Sequence, residues 1–185
     1  MSDLFPRATR TRHGYHSGQV EDFFQRARAA YERPGAPSGD MTTEDIRAAA
    51  FDLKRGGYAT SGVDSALDRL ELAFAKRTRD AYVRTHGQDA WMGELAQRAQ
   101  VLYPRLRRPR GKRFAAPSGL RGGYDRKQVD ALLDRITTFF DQGTPLTADE
   151  VRAVTFKRRA KFGAYHERTV DAYLARTVDI LLGVG

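Results

Sequence analysis

One pattern of apolar and small residues occurs four times along the chain. Each copy contains a Tyr that is preceded by Gly or Ala, and a Val follows that Tyr five residues later. After the Val, apolar or small residues fall at steps of three, four and eleven, a spacing that places them on one face of an α-helix. The pattern therefore predicts four copies of a loop that leads into an amphipathic helix. The four Tyr–Val pairs are Tyr15 and Val20, Tyr58 and Val63, Tyr124 and Val129, and Tyr165 and Val170.

A Phe precedes the Tyr of every copy, and the four are Phe5, Phe51, Phe114 and Phe156. Aromatic residues at fixed places before a helix usually pack over its first turns. We therefore expect the Phe, Tyr and Val of each copy to belong to a hydrophobic core rather than to a ligand site.

A short helix is predicted in front of the second and fourth copies. Thr42 is followed three residues later by Asp45, and Thr147 is followed in the same way by Glu150. A hydroxyl at the N-cap with an acidic residue three positions on is typical of a capping box, and Glu is the better reciprocal partner. Ser17 is a candidate N-cap for the helix of the first copy.

The spacing of the copies predicts a duplication. Tyr15 and Tyr124 are 109 residues apart, and Tyr58 and Tyr165 are 107 apart. We predict a first motif pair in residues 1–85, a helical insert with Trp91 and a basic linker in residues 86–113, and a second motif pair in residues 114–185. No strand-like alternation is evident, so we expect an all-α fold of internally duplicated helical repeats, with no sheet of consequence. The two helices of each half should pack as a pseudo-symmetric pair.

Composition narrows the functional classes. The chain has 185 residues and no Cys, which excludes a disulfide framework and a thiolate metal site. No stretch is apolar for long enough to span a bilayer, and the N-terminus does not resemble a signal peptide, so we expect a soluble, intracellular protein. A formal net charge of +9 points to anionic lipid headgroups or nucleic acid as partners. A basic surface that is simply solvated remains the alternative to both.

The sequence contains no recognisable catalytic arrangement. The four His residues are scattered, and the Gly pairs before the second and third Tyr lack the sequence of a phosphate-binding loop. Asp64, Asp130 and Asp171, each directly after the Val, are explained by a favourable position near the positive end of a helix dipole. We therefore expect no enzymatic activity, no metal site and no cofactor.

The order of the residue types that recur in the copies resembles that of the N-terminal domain of DivIVA. That order is Thr-x-x-Asp/Glu-Ile/Val-Arg, a Phe, a short basic loop, Gly-Tyr, four residues, Val-Asp and a large apolar pair. The best matches run from Thr42 to Leu67 and from Thr147 to Leu174; the copy at Tyr124 also matches closely, and the copy at Tyr15 more loosely. The resemblance implies a small helical module that associates in pairs and acts in bacterial polar growth or division.

Two departures from that family shape the expectation. No sustained heptad pattern follows any copy, whereas the scaffolding members continue into a long coiled coil. Four copies in one chain could also satisfy internally the pairing that DivIVA achieves between chains. Both departures favour an adaptor, or a divergent relative, over a self-assembling polar scaffold.

The resemblance also implies a membrane-binding loop before each Gly-Tyr, made of an apolar side chain and a basic one. The residues that fit this role are Leu53 with Lys54 and Arg55, Leu120 with Arg121, and Phe162 with Arg158, Arg159 and Lys161. The expected function is a non-enzymatic interaction or adaptor module, cytoplasmic or peripheral at the inner face of the cell membrane. Its expected partners are another protein, a second copy of the chain or an anionic membrane. The alternative is a basic nucleic-acid-associated protein whose linker, residues 105–113, follows phosphates.

Overall fold

The computed structural model describes residues 3–9, 11–33, 41–118 and 122–184, and it is mainly helical across these ranges. The chain divides into two compact units, Met1–Thr85 and His86–Gly185. The predicted insert, residues 86–113, therefore belongs to the second unit. Within the described ranges, none of the helices is both long enough and apolar enough to cross a lipid bilayer.

The first unit alternates short strands with helices. Its elements are β1 (His13–Tyr15), α1 (Ser17–Glu32), α2 (Thr43–Arg47), β2 (Leu53–Arg55) and α3 (Thr60–His86). The predicted capping box at α2 is confirmed, since the Thr42 hydroxyl accepts from the Asp45 backbone and the Asp45 carboxylate accepts from the Thr42 backbone. The N-cap of α1 was wrongly expected at Ser17: the imidazole of His16 accepts from the Gln19 backbone at 3.4 Å.

The second unit has the same kind of alternation, preceded by two further helices. Its elements are α4 (Gln88–Gln100), α5 (Tyr103–Leu106), β3 (Gly123–Asp125), α6 (Arg126–Gln142), α7 (Ala148–Arg152), β4 (Arg158–Arg159), a 3₁₀ turn (Lys161–Gly163), β5 (Ala164–Tyr165) and α8 (Glu167–Val184). The capping box at Thr147 and Glu150 is confirmed. Helix α4 packs against α8, where the Trp91 indole donates to the Gly183 carbonyl at 2.8 Å.

The expectation of a fold with no sheet of consequence is wrong. Strands β1 and β2 pair antiparallel, and β3 lies between β4 and β5 in a second antiparallel sheet. The segment from Asp52 to Gly57 contains β2 and turns at Gly56, where φ is 68°. These strands have two or three residues each, which is too short for the period-two alternation that identifies a strand in a sequence.

The repeated positions form the core of each unit. Val20, Val63, Val129 and Val170 are fully buried. In the first unit, Phe23 and Ala27 of α1 pack with Ile46 of α2 and Phe74 of α3. In the second unit, the buried apolar side chains of α6 and α8 include Leu133, Ile136 and Leu181. Most of the apolar stripe predicted for each helix therefore lies on its buried face, and Tyr31, at 43% exposure, was wrongly expected there.

The interpretation of residues 105–113 as an exposed basic linker is wrong in part. Leu106 ends helix α5 and is buried, and Arg113 is buried as well. Arg105 lies over the ring of Phe114 at 4.7 Å from its centroid. The many Arg residues of this segment indicated exposure, since Arg side chains are usually at the surface. Composition does not reveal which Arg side chain meets a buried acceptor.

Candidate functional site

The two motifs of the first unit are joined by reciprocal contacts. The backbones of Tyr15 and Tyr58 exchange hydrogen bonds, each N–H donating to the other residue's carbonyl at 2.9 Å. The Tyr58 hydroxyl donates to the carboxylate of Glu21, which follows Val20, at 2.5 Å. In the other direction, the side chains of Tyr15 and Asp64 share a hydrogen bond. Burial, followed by the neighbouring carboxylate, raises the pKa of both tyrosines.

The second unit has the same crossed contacts. The Tyr165 hydroxyl donates to Asp130 at 3.0 Å, and Tyr124 shares a side-chain hydrogen bond with Asp171. Tyr124 and Tyr165 face each other across β3 and β5. The explanation of these carboxylates by the helix dipole alone therefore missed their main neighbour, a tyrosine of the other motif in the same unit.

The phenylalanines follow the same crossed arrangement. Phe5 packs on Tyr58 and Phe51 on Tyr15, with ring centroids 5.5 and 5.4 Å apart. Phe114 packs on Tyr165 and Phe156 on Tyr124, at 5.3 and 5.1 Å. Each Phe therefore contacts the Tyr of the neighbouring motif instead of the Tyr that follows it in its own copy. These aromatic pairs fix the loops from which the candidate site projects.

Glycine before the Tyr allows the two backbones to approach closely. A Cβ on Gly14 would lie 2.2 Å from the Tyr58 carbonyl oxygen, and one on Gly123 would lie 2.1 Å from the Tyr165 carbonyl oxygen. Both distances are far below van der Waals contact. The Gly of the Gly-Tyr pair is therefore required by the strand pairing and supplies no group to a site.

Arg113 and Asp130 form a buried polar network in the second unit. Asp130 is 4% exposed and accepts from the Gly111 backbone at 2.7 Å as well as from Tyr165. The Arg113 guanidinium lies 3.9 Å from the Asp130 carboxylate, donates to the Asp130 carbonyl at 2.8 Å and donates to Asp134 at 2.5 Å. This segment of the insert thus covers the carboxylate of the third motif.

A basic turn between β4 and β5 presents the most exposed large apolar side chain among the described residues. Phe162, in the middle of the 3₁₀ turn, is 91% exposed. Arg158 and Arg159 precede it on β4, and Lys161 is its immediate neighbour. The sequence predicted these four residues as one loop; two of them form strand β4 and the other two lie in the 3₁₀ turn that follows it.

The two arginines of β4 also form ion pairs. Arg158 binds Glu167 through two nitrogens at 2.8 and 3.0 Å, and the Arg159 Nε donates to Asp125 at 2.6 Å. The Arg159 contact is the main reason that the pKa of Asp125 lies below its usual value. Their charge is therefore partly balanced within the protein, and Lys161 adds a third cation beside Phe162.

A cleft of about 760 Å³ opens beside this turn. Asp125 and Asp130 contribute carboxylates to its wall, and backbone is contributed by Gly111 and Gly163. We call it the basic cleft, after the four cationic side chains that line it: Arg110, Arg126, Lys127 and Arg159.

Sequence reasoning missed two of those four cations, and it included a third, Arg110, only as part of the basic linker in residues 105–113. Arg110 comes from the insert, and Arg126 and Lys127 open helix α6. No sequence spacing connects Arg110 with Arg126 and Lys127, because more than a dozen residues of chain separate them and only the fold brings them together. The Arg-rich composition of the insert was the one signal available, and it did not identify which Arg would face the cleft.

The other loop candidates divide into two groups. Leu53, Lys54 and Arg55 form strand β2 and are all exposed, with Leu53 at 62%. They pair with Tyr15, Gly14 and His13 of β1. Leu120 and Arg121 lie outside the described residues.

Comparison with protein-family models, with curated proteins and with solved structures found no match for this chain.

Proposed function

We propose that this chain is a non-enzymatic interaction module, related to DivIVA, that attaches to the anionic cytoplasmic face of a membrane through Phe162. The observation that supports the proposal is the 91% exposure of Phe162 on a turn that contains Lys161 and follows Arg158 and Arg159 of β4. An aromatic side chain that is exposed to water contributes no stabilising burial of apolar surface to the fold. At a bilayer surface it would bury its ring among lipid while the basic side chains meet the headgroups.

The magnitudes are consistent with weak, reversible attachment. Burial of a Phe side chain contributes about 1.5–3 kcal/mol. Each basic residue near an anionic surface adds about 1 kcal/mol, and the ion pairs of Arg158 and Arg159 reduce their share. One apolar anchor with a small basic patch gives only marginal attachment, and a second contact strengthens it. Leu53 with Lys54 and Arg55 on β2 is a candidate for that second contact.

We also propose that the two units arose by duplication of a motif pair and share descent with DivIVA domains. The support is the common order of strand, helix, capped short helix, strand and helix in each unit, to which the second unit adds a 3₁₀ turn and β5 before its last helix. The crossed Tyr–carboxylate and Phe–Tyr contacts also recur in both units. In this proposal, pairing between motifs takes place inside each unit, which leaves the module without the long coiled coil of a scaffold.

Flotation with vesicles of phosphatidylcholine and phosphatidylglycerol tests the membrane attachment. The full chain should float with vesicles rich in phosphatidylglycerol and stay in solution with pure phosphatidylcholine. Phe162→Ala should reduce the bound fraction by about tenfold or more, because it removes most of the apolar burial. Phe162→Leu should retain most of the binding.

Leu72→Ala is the matched control, since Leu72 is also an exposed apolar side chain but lies on helix α3. It should bind like the unaltered protein. Equal flotation of the Phe162→Ala and Leu72→Ala variants, or no flotation of the unaltered chain at low salt, would reject the proposal.

A further inference from the structure

We infer that the basic cleft binds the phosphate group of an anionic ligand, and that at a membrane this ligand is a phospholipid headgroup. The lipid form of the inference rests on the proposed attachment through Phe162. The cleft volume, about 760 Å³, is within the range of pockets that hold small ligands. Four cationic side chains and two carboxylates line it, so its walls carry an excess of positive charge.

Both carboxylates are already occupied by donors of the protein. Asp125 accepts from the Lys127 and Gln128 backbones at 2.9 and 3.3 Å, and from Arg159. Asp130 accepts from the Gly111 backbone and from the Tyr165 hydroxyl, as described above. These bonds hold the two carboxylates in the walls of the cleft, where the four cations outnumber them.

The arginines are held in place while part of each guanidinium remains available. Arg126 donates through Nε to the Ala164 carbonyl at 3.0 Å and lies 5.4 Å from the centroid of the Tyr165 ring. Arg159 likewise uses Nε for its bond to Asp125. A guanidinium has two further nitrogens that can donate to phosphate oxygens. Fixing both groups in advance reduces the entropy lost when a ligand binds.

The remaining two cations are exposed. Arg110 is 72% exposed and pairs with Asp134 at the surface, a contact that a phosphate could replace with little loss. Lys127 is exposed on the first turn of α6, and no ion pair to it is found in the part of the chain that the structure describes. An ammonium and an exposed guanidinium at the rim suit the anionic oxygens of a phosphate group.

The cleft and the Phe162 turn are continuous. Arg159 lines the cleft and precedes Phe162 by three residues, and Gly163, also in the lining, follows it directly. A ring inserted between acyl chains would therefore have the headgroup level beside the cleft. This geometry favours lipid over a soluble phosphate as the source of the group.

The test compares two variants of the full chain. Arg110→Gln with Lys127→Gln removes two cations of the cleft, both at exposed positions. Arg69→Gln with Lys76→Gln removes one exposed Arg and one exposed Lys from helix α3, outside both proposed contacts, and is the matched control. Circular dichroism should show unchanged helix content in both.

The first arm titrates inorganic pyrophosphate into each protein by isothermal titration calorimetry. The unaltered protein and the control should bind it saturably, and the cleft variant should bind about tenfold more weakly or worse. The second arm repeats the flotation with phosphatidylglycerol vesicles. The cleft variant keeps Phe162, so its loss of flotation would support a lipid headgroup as the ligand of the cleft.

The outcomes separate the two proposals. Pyrophosphate binding without any flotation of the unaltered chain would remove the membrane function and leave the cleft as a site for a soluble phosphate compound. Flotation that depends on Phe162, together with identical behaviour of the cleft variant and the control in both arms, would overturn the phosphate site and leave the membrane function standing.

Discussion

Replacement of Arg113 by Met should destabilise the second unit by about 3 kcal/mol. The Arg113 side chain is only 7% exposed and donates to Asp134 and to the Asp130 carbonyl. It also lies 3.9 Å from the Asp130 carboxylate. Removal of one partner from a buried ion pair leaves the other charge uncompensated, which costs about 3–5 kcal/mol. The lower end of that range applies because Tyr165 and Gly111 still donate to Asp130, and because Asp134 is partly exposed.

Arg110→Met is the control that isolates burial. Arg110 also pairs with Asp134, but its side chain is 72% exposed. Surface ion pairs contribute about 0–1 kcal/mol, so this variant should be nearly as stable as the unaltered chain. Both substitutions remove a guanidinium that binds Asp134, but only the Arg113 guanidinium is buried and also contacts Asp130.

Urea denaturation followed by tryptophan fluorescence measures the effect. Trp91 is the single Trp of the chain, is buried, and lies in the same unit as Arg113, so its emission reports the unfolding of that unit. Arg113→Met combined with Asp130→Asn should be destabilised by at least about 1 kcal/mol less than the sum of the single variants. Equal midpoints for Arg113→Met and Arg110→Met would refute the reasoning, as would strict additivity in the double variant.

Two further predictions concern the strand pairing and its acid sensitivity. Gly123→Ala should destabilise the second unit by about 3 kcal/mol, since the new Cβ would lie 2.1 Å from the Tyr165 carbonyl oxygen. The control is Gly93→Ala in helix α4, where the new Cβ meets nothing within 4 Å. This variant should stabilise the protein by up to about 1 kcal/mol. Thermal melting distinguishes the two variants, and similar melting temperatures would contradict the close approach. The pKa of Asp125 is held below its usual 3.8, chiefly by Arg159. A carboxyl whose pKa is lower in the folded than in the unfolded chain stabilises the fold at any pH above the unfolded pKa. The stabilisation from Asp125 should therefore be complete at neutral pH and be lost as the pH falls below about 3.8. Asp125→Asn should flatten this acid limb in denaturation curves recorded from pH 6 to pH 2, and an unchanged slope would exclude the contribution.

The helices and their buried faces could be predicted because periodicity along the chain reports directly on burial. The four valines and the capping boxes at Thr42 and Thr147 are local patterns of this kind. The strands could not be predicted in the same way, since segments as short as Arg158–Arg159 are formed by pairing partners elsewhere in the chain. Local sequence contains no record of those partners.

The candidate site divides along the same line. Phe162 and its basic neighbours were named as one loop because of the resemblance to DivIVA domains, and the structure shows that Phe162 is exposed. The cleft beside it was not, because Arg110 and Arg126 approach only after the insert has folded over Asp130. The burial of Arg113 was missed for the same reason, as Asp130 and Asp134 lie 17 and 21 residues away from it.

The crossed contacts between motifs have a consequence for how such a chain can change over generations. Tyr165 needs the carboxylate that follows Val129, and Tyr58 needs the one that follows Val20. A substitution at one partner therefore alters the selective value of the residue at the other, so the two should covary among descendants of this sequence. Covariation of this kind would be confined to the pairs within each unit, which frees each unit to diverge on its own and to acquire an insert such as the one that carries Arg113.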